Sequence, residues 1–423
     1  MALLYTNRIE FEVWKSIHTM PRRFVKIWQN HRLKKLVRHF AEKVPLYSRI
    51  MREIDIPPKK FKGIVELTHL PIIDKNTFRK RSASDYINAL SQEHLVRKQT
   101  SGSTGAPFEF VIHNFPLPNY YHDFLGYRSL IWQGISLQKI MLGLRMVHIR
   151  LTPFKHSYRL FIPVQDIIRN KAVAFSKISN FSPEVIESFP SVLLELAKYM
   201  SSREINVLNP KFIISYGEKL FPATRRYIEK LFQCTVYDRY GMEEFGAIGQ
   251  ECGYQTGFHI NEETLLIEIV DDNGFPTPPG VAGNIIITDL YNFNMPFIRY
   301  HTGDYGRLDN TPCPCGVASP RLHLAGRVAS FINTRVGKIH HFEFADIMNH
   351  YSAYVMQYQI VSRSSGIFEI RIVPFEPIRY DLVSRLKLDI KKLTNNTSRF
   401  VIRLVDYIEP MANGKRKTIV NIR

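Results

Sequence analysis

The stretch TSGSTGAPFEF, residues 100–110, places six small or hydroxylated residues before a proline and an alternation of apolar and polar residues. Glycine is entropically costly in helices and strands, and Ser and Thr hydroxyls compete for backbone partners, so this run disfavours both. Its backbone N–H groups and hydroxyls suit a loop that wraps phosphate, although a flexible linker has a similar composition. The flanking segments 93–99 and 107–113 have strand patterns, which predict a hairpin around the loop.

The whole chain has 423 residues, of which 45% are hydrophobic and 22% charged, as in a globular protein with two domains. Its apolar runs are far too short for a membrane span, and the N-terminus lacks the apolar stretch of a signal peptide. We therefore expect a cytoplasmic protein, either a monomer or a homodimer. Four cysteines fit a reducing compartment where thiols are free or bind metal: Cys234, Cys252, Cys313 and Cys315.

The formal net charge of +19 is high, and much of it lies in residues 22–43. Apolar and basic residues alternate there at helical spacing: Leu33, Leu36, Val37 and Phe40 with Arg32, Lys34, Lys35 and Arg38. One interpretation is a basic amphipathic helix that touches anionic lipid, nucleic acid or an acidic protein. The favoured one is an ordinary surface helix with a solvated basic face. No nucleic-acid motif accompanies the charge, so we expect no nucleic-acid partner.

The order of strand and helix patterns predicts the fold class. From residue 211 a strand, a helix and a second strand follow one another, which favours a parallel sheet covered by helices. Residues 264–270 and 283–290 read as two antiparallel strands, and a compact α+β module begins after residues 326–327. We therefore expect an α/β protein with mixed sheets.

Four further motifs join the opening loop along the chain: YGMEEFG (240–246), IRYHTGD (298–304), LAGR (324–327) and NGKRK (413–417). In this order and spacing they resemble the adenylate-forming ligase superfamily. N-terminal segments such as LPIIDK (70–75) are similar to the phenylacetate–CoA ligase branch and its CapK-like relatives in capsular-polysaccharide gene clusters. The resemblance implies an N-terminal adenylation core, residues 1–326, and a small mobile C-terminal lid, residues 327–423.

Such enzymes join a carboxylate to AMP and release pyrophosphate, so the resemblance implies ATP and Mg²⁺ as cofactors. It assigns the β- and γ-phosphates to Thr100, Ser101, Gly102, Ser103, Thr104 and Gly105. It assigns the adenine edge to the SYGEKL turn through Ser215, Gly217 and Glu218, and the stacking on adenine to Tyr240, beside Gly241.

The remaining roles also follow from the resemblance. Glu244 would hold Mg²⁺, with Glu243 as the neighbouring candidate. Asp304 would accept hydrogen bonds from the ribose hydroxyls, with Arg327 nearby. Lys415 would bridge the carboxylate and the α-phosphate, with Lys417 as its competitor.

The second half-reaction depends on the lid. Ala329 stands where relatives commonly have an aspartate at the hinge, whereas Gly337 matches a glycine that lines their thiol tunnel. We expect transfer to a thiol, either CoA or the arm of an acidic carrier protein. An amine or sugar hydroxyl is the alternative acceptor, and a binding protein that has lost catalysis is a third interpretation.

The resemblance implies a small carboxylic acid as the substrate. In relatives, residues soon after the loop and just before the YGxxE motif shape the acid pocket. The aromatic segment 119–132 would suit an aryl or other planar acid, although aromatic helices are more often core.

A separate Cys/His group suits structural zinc: Cys252, His259, Cys313 and Cys315. The spacing is not that of a standard zinc knuckle, so four unlinked residues are the alternative. The resemblance implies a fold in which both segments flank the same sheet edge, so we expect the four side chains to converge.

Overall fold

The computed structural model describes residues 17–88, 95–99, 108–113, 130–151, 159–205, 208–327, 331–334, 337–364, 367–409 and 416–421. The chain forms two compact units, one of Met1–Gly134 with Tyr240–Leu324 and one of Ile135–Arg239 with Ala325–Arg423. The expected α/β class is confirmed. The division into a core of 1–326 and a lid of 327–423 stays a prediction.

The helices in chain order are α1 (Arg22–Lys43), α2 (Pro45–Glu53), α3 (Lys75–Arg79), α4 (Ala83–Tyr86), α5 (Leu137–Leu142), α6 (Val164–Arg169), α7 (Lys171–Phe181), α8 (Pro190–Ser202), α9 (Pro222–Phe232), α10 (His341–His350) and α11 (Tyr380–Leu393). Short 3₁₀ turns lie at Ile17–Thr19, Pro58–Lys60 and Ile64–His69. In the part of the chain that the structure describes, no helix has the length and apolarity needed to cross a membrane.

The first ten strands in chain order are β1 (Leu95–Gln99), β2 (Glu109–His113), β3 (Met146–Arg150), β4 (Arg159–Pro163), β5 (Val185–Ser188), β6 (Phe212–Tyr216), β7 (Thr235–Met242), β8 (Gly246–Gln250), β9 (Phe258–Ile260) and β10 (Leu265–Val270). The later ones are β11 (Gly283–Asp289), β12 (Tyr300–Asp309), β13 (Arg321–Arg327), β14 (Phe331–Thr334), β15 (Gly337–His340), β16 (Val355–Ser364), β17 (Ile367–Pro374), β18 (Arg399–Leu404) and β19 (Ile419–Asn421).

The predicted hairpin around the opening loop is confirmed in the first unit. Strands β1 and β2 pair antiparallel from Leu95 with His113 to Gln99 with Glu109. The hairpin therefore brings both ends of the intervening segment together.

Helix α1 buries the predicted apolar stripe, including Leu33 and Phe40. Arg32 lies on this buried side, which makes its placement on a solvated basic face wrong. Its guanidinium lies 3.9 Å from the centroid of the Tyr291 ring, and its Nη2 donates to the Leu290 carbonyl over 3.2 Å. The reason is that stacking on a ring and donating to a carbonyl give a guanidinium favourable contacts away from water.

The strands of the first unit follow the order β10-β11-β12-β13-β9-β8. Strands β10 and β11 are antiparallel from Leu265 with Asp289 to Val270 with Asn284, as the sequence predicts. Large aromatic side chains such as Phe245 and Phe297 fill the core between these strands and the helices. This packing places the turn after β7 close to the start of β12.

The second unit contains the predicted parallel sheet, in the order β7-β6-β5-β3-β4. Helices α8 and α9 begin at Pro190 and Pro222, because proline at the first helical position has no N–H to leave unpaired. Their apolar sides pack on one face of the sheet, around Ile186 and Ile213. The carboxyl ends of all five strands share one edge.

The predicted C-terminal α+β module lies in the same unit. Its strands follow the order β18-β17-β16-β19, with α10 and α11 packed on them. The Thr224 hydroxyl of α9 donates to the Met356 carbonyl of β16 over 2.5 Å, and Arg226 Nη2 donates to the Ala353 carbonyl over 3.0 Å. The mobility expected of a lid stays a prediction.

Candidate active site

Tyr240 and Asp304, which come from two separate motifs, lie in hydrogen-bond contact. Tyr240 is in β7 and Asp304 in β12, and both side chains are buried. The Tyr240 hydroxyl donates to Oδ2 of Asp304 over 2.6 Å. The backbone N–H of Asp304 donates to the Thr302 hydroxyl over 3.0 Å, which fixes the aspartate in its strand. The fold thus brings together two residues that the resemblance assigns to one nucleotide.

The turn after β7 carries two consecutive glutamates in opposite surroundings. Glu244 is buried and its Oε1 accepts a 3.2 Å hydrogen bond from the Tyr300 hydroxyl, whereas Glu243 is exposed. Gly241 lets the chain fold back, because a Cβ there would lie 2.7 Å from the carbonyl oxygen of Gly246. Mg²⁺ is commonly bound by one or two carboxylates together with phosphate oxygens. The oriented Glu244 carboxylate fits that ion better than the exposed Glu243.

The SYGEKL turn follows β6 in the second unit. The Ser215 hydroxyl donates to Oδ1 of Asp238 over 2.9 Å, which ties the end of β6 to β7. Gly217 has a φ of +76°, and a Cβ there would lie 2.8 Å from the Phe189 ring. Only glycine therefore fits this turn.

Glu218 is bound by backbone groups from two other segments. Its carboxylate accepts hydrogen bonds from the N–H of Ser191 (3.2 Å) and of Arg416 (3.0 Å). Burial raises the pKa of Glu218 above its ordinary value, although these bonds oppose the shift. These bonds connect the turn to the C-terminal segment through Arg416, and the nucleotide role of the turn stays a prediction.

Two further candidates lie near the start of the C-terminal module. Arg327 is the exposed last residue of β13. Gly337 begins β15 with a φ of +126°, and its carbonyl accepts a 2.7 Å bond from the Thr334 hydroxyl. A side chain would strain this backbone, so glycine is required whatever its role in an acceptor tunnel.

Several predicted residues lie outside the described residues: Thr100, Ser101, Gly102, Ser103, Thr104, Gly105, Ala329, Lys415 and most of the aromatic segment 119–132. Their roles stay predictions.

The residue after Lys415 is Arg416, and its Nε donates to the Ile408 carbonyl over 2.5 Å. Its guanidinium also lies 4.7 Å from the centroid of the Tyr407 ring. Lys417, the competing lysine, accepts a 3.0 Å bond from Gln359 through its backbone carbonyl.

The predicted convergence of the Cys/His group is confirmed in the first unit. The ligand atoms of Cys252, His259, Cys313 and Cys315 all lie within 4.8 Å of one another. Cys252 Sγ is 3.7 Å from Cys313 Sγ, and Cys315 Sγ is 3.3 Å from His259 Nε2. All four thiols of the chain are free.

These distances fit a tetrahedral zinc site. Zn–S bonds of about 2.3 Å place two thiolate sulfurs roughly 3.8 Å apart in a tetrahedron. His259 Nδ1 lies 3.3 Å from both the carbonyl and the hydroxyl of Ser319, which would orient the ring with Nε2 toward the metal. The Trp132 ring meets His259 edge to face at 5.9 Å. The donor set and its supporting contacts therefore suit Zn²⁺.

Sequence reasoning missed the residues that orient the predicted ones. Tyr300 lies inside the quoted IRYHTGD motif, so a signal for it was present. Asp238 lies just before the YGMEE motif. Neither hydrogen bond could be assigned from spacing, because its two partners lie in different segments of the chain.

Known proteins with similar sequences agree with the resemblance and with the geometry of the site. No family model matches the chain. It is 27% identical to the phenylacetate–coenzyme A ligase of Thermus thermophilus over 390 residues, which covers 86% of this chain and 84% of that protein. It is 22% identical to the CapK protein of Staphylococcus aureus over 416 residues, covering 93% and 88%.

Among solved structures, 2-hydroxyisobutyryl-CoA ligase, in complex with R3-HIB-AMP in the postadenylation state, superposes with a TM-score of 0.77. The identity is 19%, and the match covers 97% of this chain and 92% of that one, so it shows a common fold. The motif order, the site geometry and these similarities agree. The chain is therefore similar to phenylacetate–CoA ligases and to CapK, and it shares its fold with 2-hydroxyisobutyryl-CoA ligase.

Proposed function

We propose that this chain activates a carboxylic acid with ATP and transfers the acyl group to the thiol of coenzyme A. In the first step a carboxylate oxygen attacks the α-phosphorus, and the bond to pyrophosphate breaks. In the second step the thiolate sulfur attacks the acyl carbon, and AMP leaves with the electron pair of the C–O bond. The hydrogen bond between Tyr240 and Asp304 carries the proposal, because it unites two nucleotide motifs.

The first step brings two anions together, so positive charge must be held in place before the reaction. Glu244 would hold Mg²⁺, which supplies positive charge beside the phosphates. The loop from Thr100 to Gly105 would donate N–H and hydroxyl hydrogen bonds to phosphate oxygens, as the resemblance implies. Lys415 would bridge the attacking carboxylate and the α-phosphate.

The nucleoside would be held by groups that the fold fixes in advance. A carboxylate has about four lone-pair sites, so the bond that Asp304 accepts from Tyr240 leaves capacity for ribose hydroxyls. The Tyr240 ring would stack on adenine, while Ser215 holds the SYGEKL turn through Asp238. Arg327 would lie nearby. Such fixed positioning lowers the entropic cost of bringing the reactants together.

The acceptor is proposed from the names of the relatives, two of which are CoA ligases. Gly337, with no side chain and a backbone that only glycine adopts readily, would leave space for the pantetheine thiol. A carrier-protein arm ends in the same thiol and is the second source of this chemistry.

We also propose a structural zinc ion at Cys252, His259, Cys313 and Cys315. The four ligands come from the segment after β8, from β9 and from the segment between β12 and β13. A filled set of four protein ligands leaves no position for a substrate, so the ion would tie these segments together. It would take no part in the reaction.

The activity is tested by a pyrophosphate-release screen across a library of carboxylic acids, with and without CoA. We expect release that requires both ATP and an acid, and formation of a thioester when CoA is present. Release without thioester formation would point to a carrier protein, an amine or a hydroxyl as acceptor. No acid-dependent release across the library would contradict the proposed function.

A further inference from the structure

The three cysteines of the proposed zinc site, all in the first unit, accept hydrogen bonds from the backbone. The N–H of Val317 donates to Cys315 Sγ over 3.4 Å. The N–H groups of Tyr254 and Cys315 donate in the same way to the sulfurs of Cys252 and Cys313. Each cysteine is therefore bonded to the backbone two residues further along the chain.

Cys313 has a side-chain partner as well, because Thr256 is hydrogen-bonded to it. The Thr256 hydroxyl also accepts a bond from Arg321 Nη1 over 2.6 Å. A hydroxyl has one proton to donate and two lone pairs that accept. Since its oxygen accepts from the guanidinium, its proton is available for the sulfur of Cys313. The order of donation thus runs from Arg321 through Thr256 to Cys313.

Arg321 is held in place by further contacts of the same guanidinium. The residue is 7% exposed, and its Nη2 donates to Oδ2 of Asp309 and to the Thr311 hydroxyl, each over 2.6 Å. In β13 it lies directly opposite His259 of β9. Residues directly opposite each other in an antiparallel pair lie on one face of the sheet. Arg321 therefore extends from the same face as the histidine ligand.

Hydrogen bonds to sulfur are useful to a zinc ion with these ligands. Three thiolates carry more charge than the ion neutralises, so the complex has a net negative charge. Cys252 and Cys313 are buried, and a buried charge is costly unless hydrogen bonds stabilise it. The backbone supplies such bonds through its N–H groups, whereas Thr256 supplies one through a side chain.

We propose that Thr256 and Arg321 are positioning residues of the zinc site: Arg321 orients the Thr256 hydroxyl, which donates to the Cys313 thiolate and so raises the affinity for zinc. Neither side chain contacts the ion. This proposal rests on the proposed zinc site and assigns side chains that set its affinity. Groups that hydrogen-bond to metal ligands commonly change metal affinity by roughly 10- to 100-fold.

The test measures zinc affinity by competition with a chelator. Thr256→Val removes the hydroxyl and nearly preserves the shape, so the Kd for zinc should rise about tenfold. Thr256→Ser keeps the hydroxyl and should retain an affinity close to wild type. Thr256 is exposed, so both variants are expected to fold.

Thr311→Val is the matched control. Thr311 is also exposed, and its hydroxyl also accepts from Arg321 over 2.6 Å, but it donates to Oδ1 of Asp309 over 2.7 Å instead of to a sulfur. The variant should therefore bind zinc as wild type does. Equal losses in Thr311→Val and Thr256→Val would show general support of the segment and would overturn the proposal.

Cobalt provides a spectroscopic readout of the sulfur itself. In the protein loaded with Co²⁺, the thiolate-to-metal charge-transfer band of Thr256→Val should move to longer wavelength, because the sulfur electrons lose the stabilising proton. The ligand-field bands of the four-coordinate ion should stay in place. An unshifted band together with unchanged zinc affinity would overturn the proposal alone. A wild-type protein that binds neither zinc nor cobalt would overturn the zinc site as well.

A double-mutant cycle tests the role of Arg321. Because Arg321 acts on the sulfur through Thr256, Arg321→Gln should weaken zinc binding in the wild-type background and much less in Thr256→Val. An equal loss in both backgrounds would overturn the orienting role.

Discussion

The hydroxyl of Tyr240 donates a hydrogen bond of 2.6 Å to Asp304, a residue 64 positions further along the chain. Both groups are buried, so neither can exchange this partner for bulk water without a cost. The bond orients the carboxylate that would receive the ribose hydroxyls. A change at Tyr240 should therefore affect nucleotide binding through Asp304 as well as through loss of the ring.

Tyr240→Phe separates these two effects, because the ring remains and only the hydroxyl is lost. We expect the KM for ATP to rise about tenfold, and the free energy of unfolding to fall by about 1–3 kcal/mol, since a buried carboxylate loses a donor. Steady-state kinetics and denaturant unfolding measure the two quantities. Unchanged values for both would show that the bond has no energetic role. Tyr305→Phe, which also removes a hydroxyl from a tyrosine of the same unit, is the control.

Lys415→Ala should affect the two half-reactions unequally. A side chain that interacts only in the adenylation transition state changes only that rate. Formation of acyl-AMP should slow by roughly a hundredfold or more, the scale of losing one preorganised charged donor. Transfer from supplied acyl-AMP should stay within a few-fold of wild type.

Lys417→Ala is the matched control for that experiment. The bond from Gln359 is accepted by the backbone carbonyl of Lys417, and this carbonyl is still present in Lys417→Ala. We therefore expect the Lys417 side chain to be dispensable. Damage from Lys417→Ala with none from Lys415→Ala would shift the catalytic lysine by two positions. An equal fall in both half-reactions would indicate a structural role for Lys415.

The purified protein should contain about one zinc per chain by elemental analysis. Cys313→Ser should lower both the zinc content and the melting temperature, because it removes one of four ligands. Cys234→Ser should change neither, since Cys234 lies outside the cluster. A metal-free protein of full stability would contradict the zinc site.

Glu187 should give acid unfolding a measurable signature. Its pKa in the folded protein is below the ordinary value of 4.5, so its stabilising effect is complete above that pH and is lost as the pH falls toward the folded pKa. Glu187→Gln should be less stable than wild type by about 3 kcal/mol at pH 7, the scale of breaking a buried ion pair. The difference should shrink between about pH 5 and pH 3. Glu376→Gln, at an exposed position, should show no such trend. A difference independent of pH would contradict the assignment.

The sequence predicted the elements better than the side-chain contacts. The alternation around the opening loop predicted the β1–β2 hairpin, and the apolar spacing in residues 22–43 predicted the buried stripe of α1. Arg32 was placed wrongly because helical spacing cannot reveal that the Tyr291 ring, far along the chain, would receive its guanidinium. Local patterns describe backbone conformation, whereas such contacts depend on the tertiary fold.

The site shows the same limit. The motifs predicted Glu244 together with its neighbour Glu243, but only the turn geometry shows that Glu244 points to Tyr300 while Glu243 is exposed. The bond between Glu187 and Arg239 could not be predicted, because it joins strands β5 and β7, between which β6 runs in the sheet. The Cys/His group was predicted because its residue types are rare and chemically distinctive.

The central claim is that this chain forms an acyl-adenylate at a site in which Glu244 is the metal carboxylate. The direct test is acid-dependent pyrophosphate release by Glu244→Gln and Glu243→Gln, measured beside wild type with the best acid of the library. We predict that Glu244→Gln loses at least about a hundredfold in rate, the scale of removing preorganised transition-state charge, and remains folded. Glu243→Gln should retain near wild-type activity. Full activity in Glu244→Gln, or loss in Glu243→Gln alone, would contradict the account.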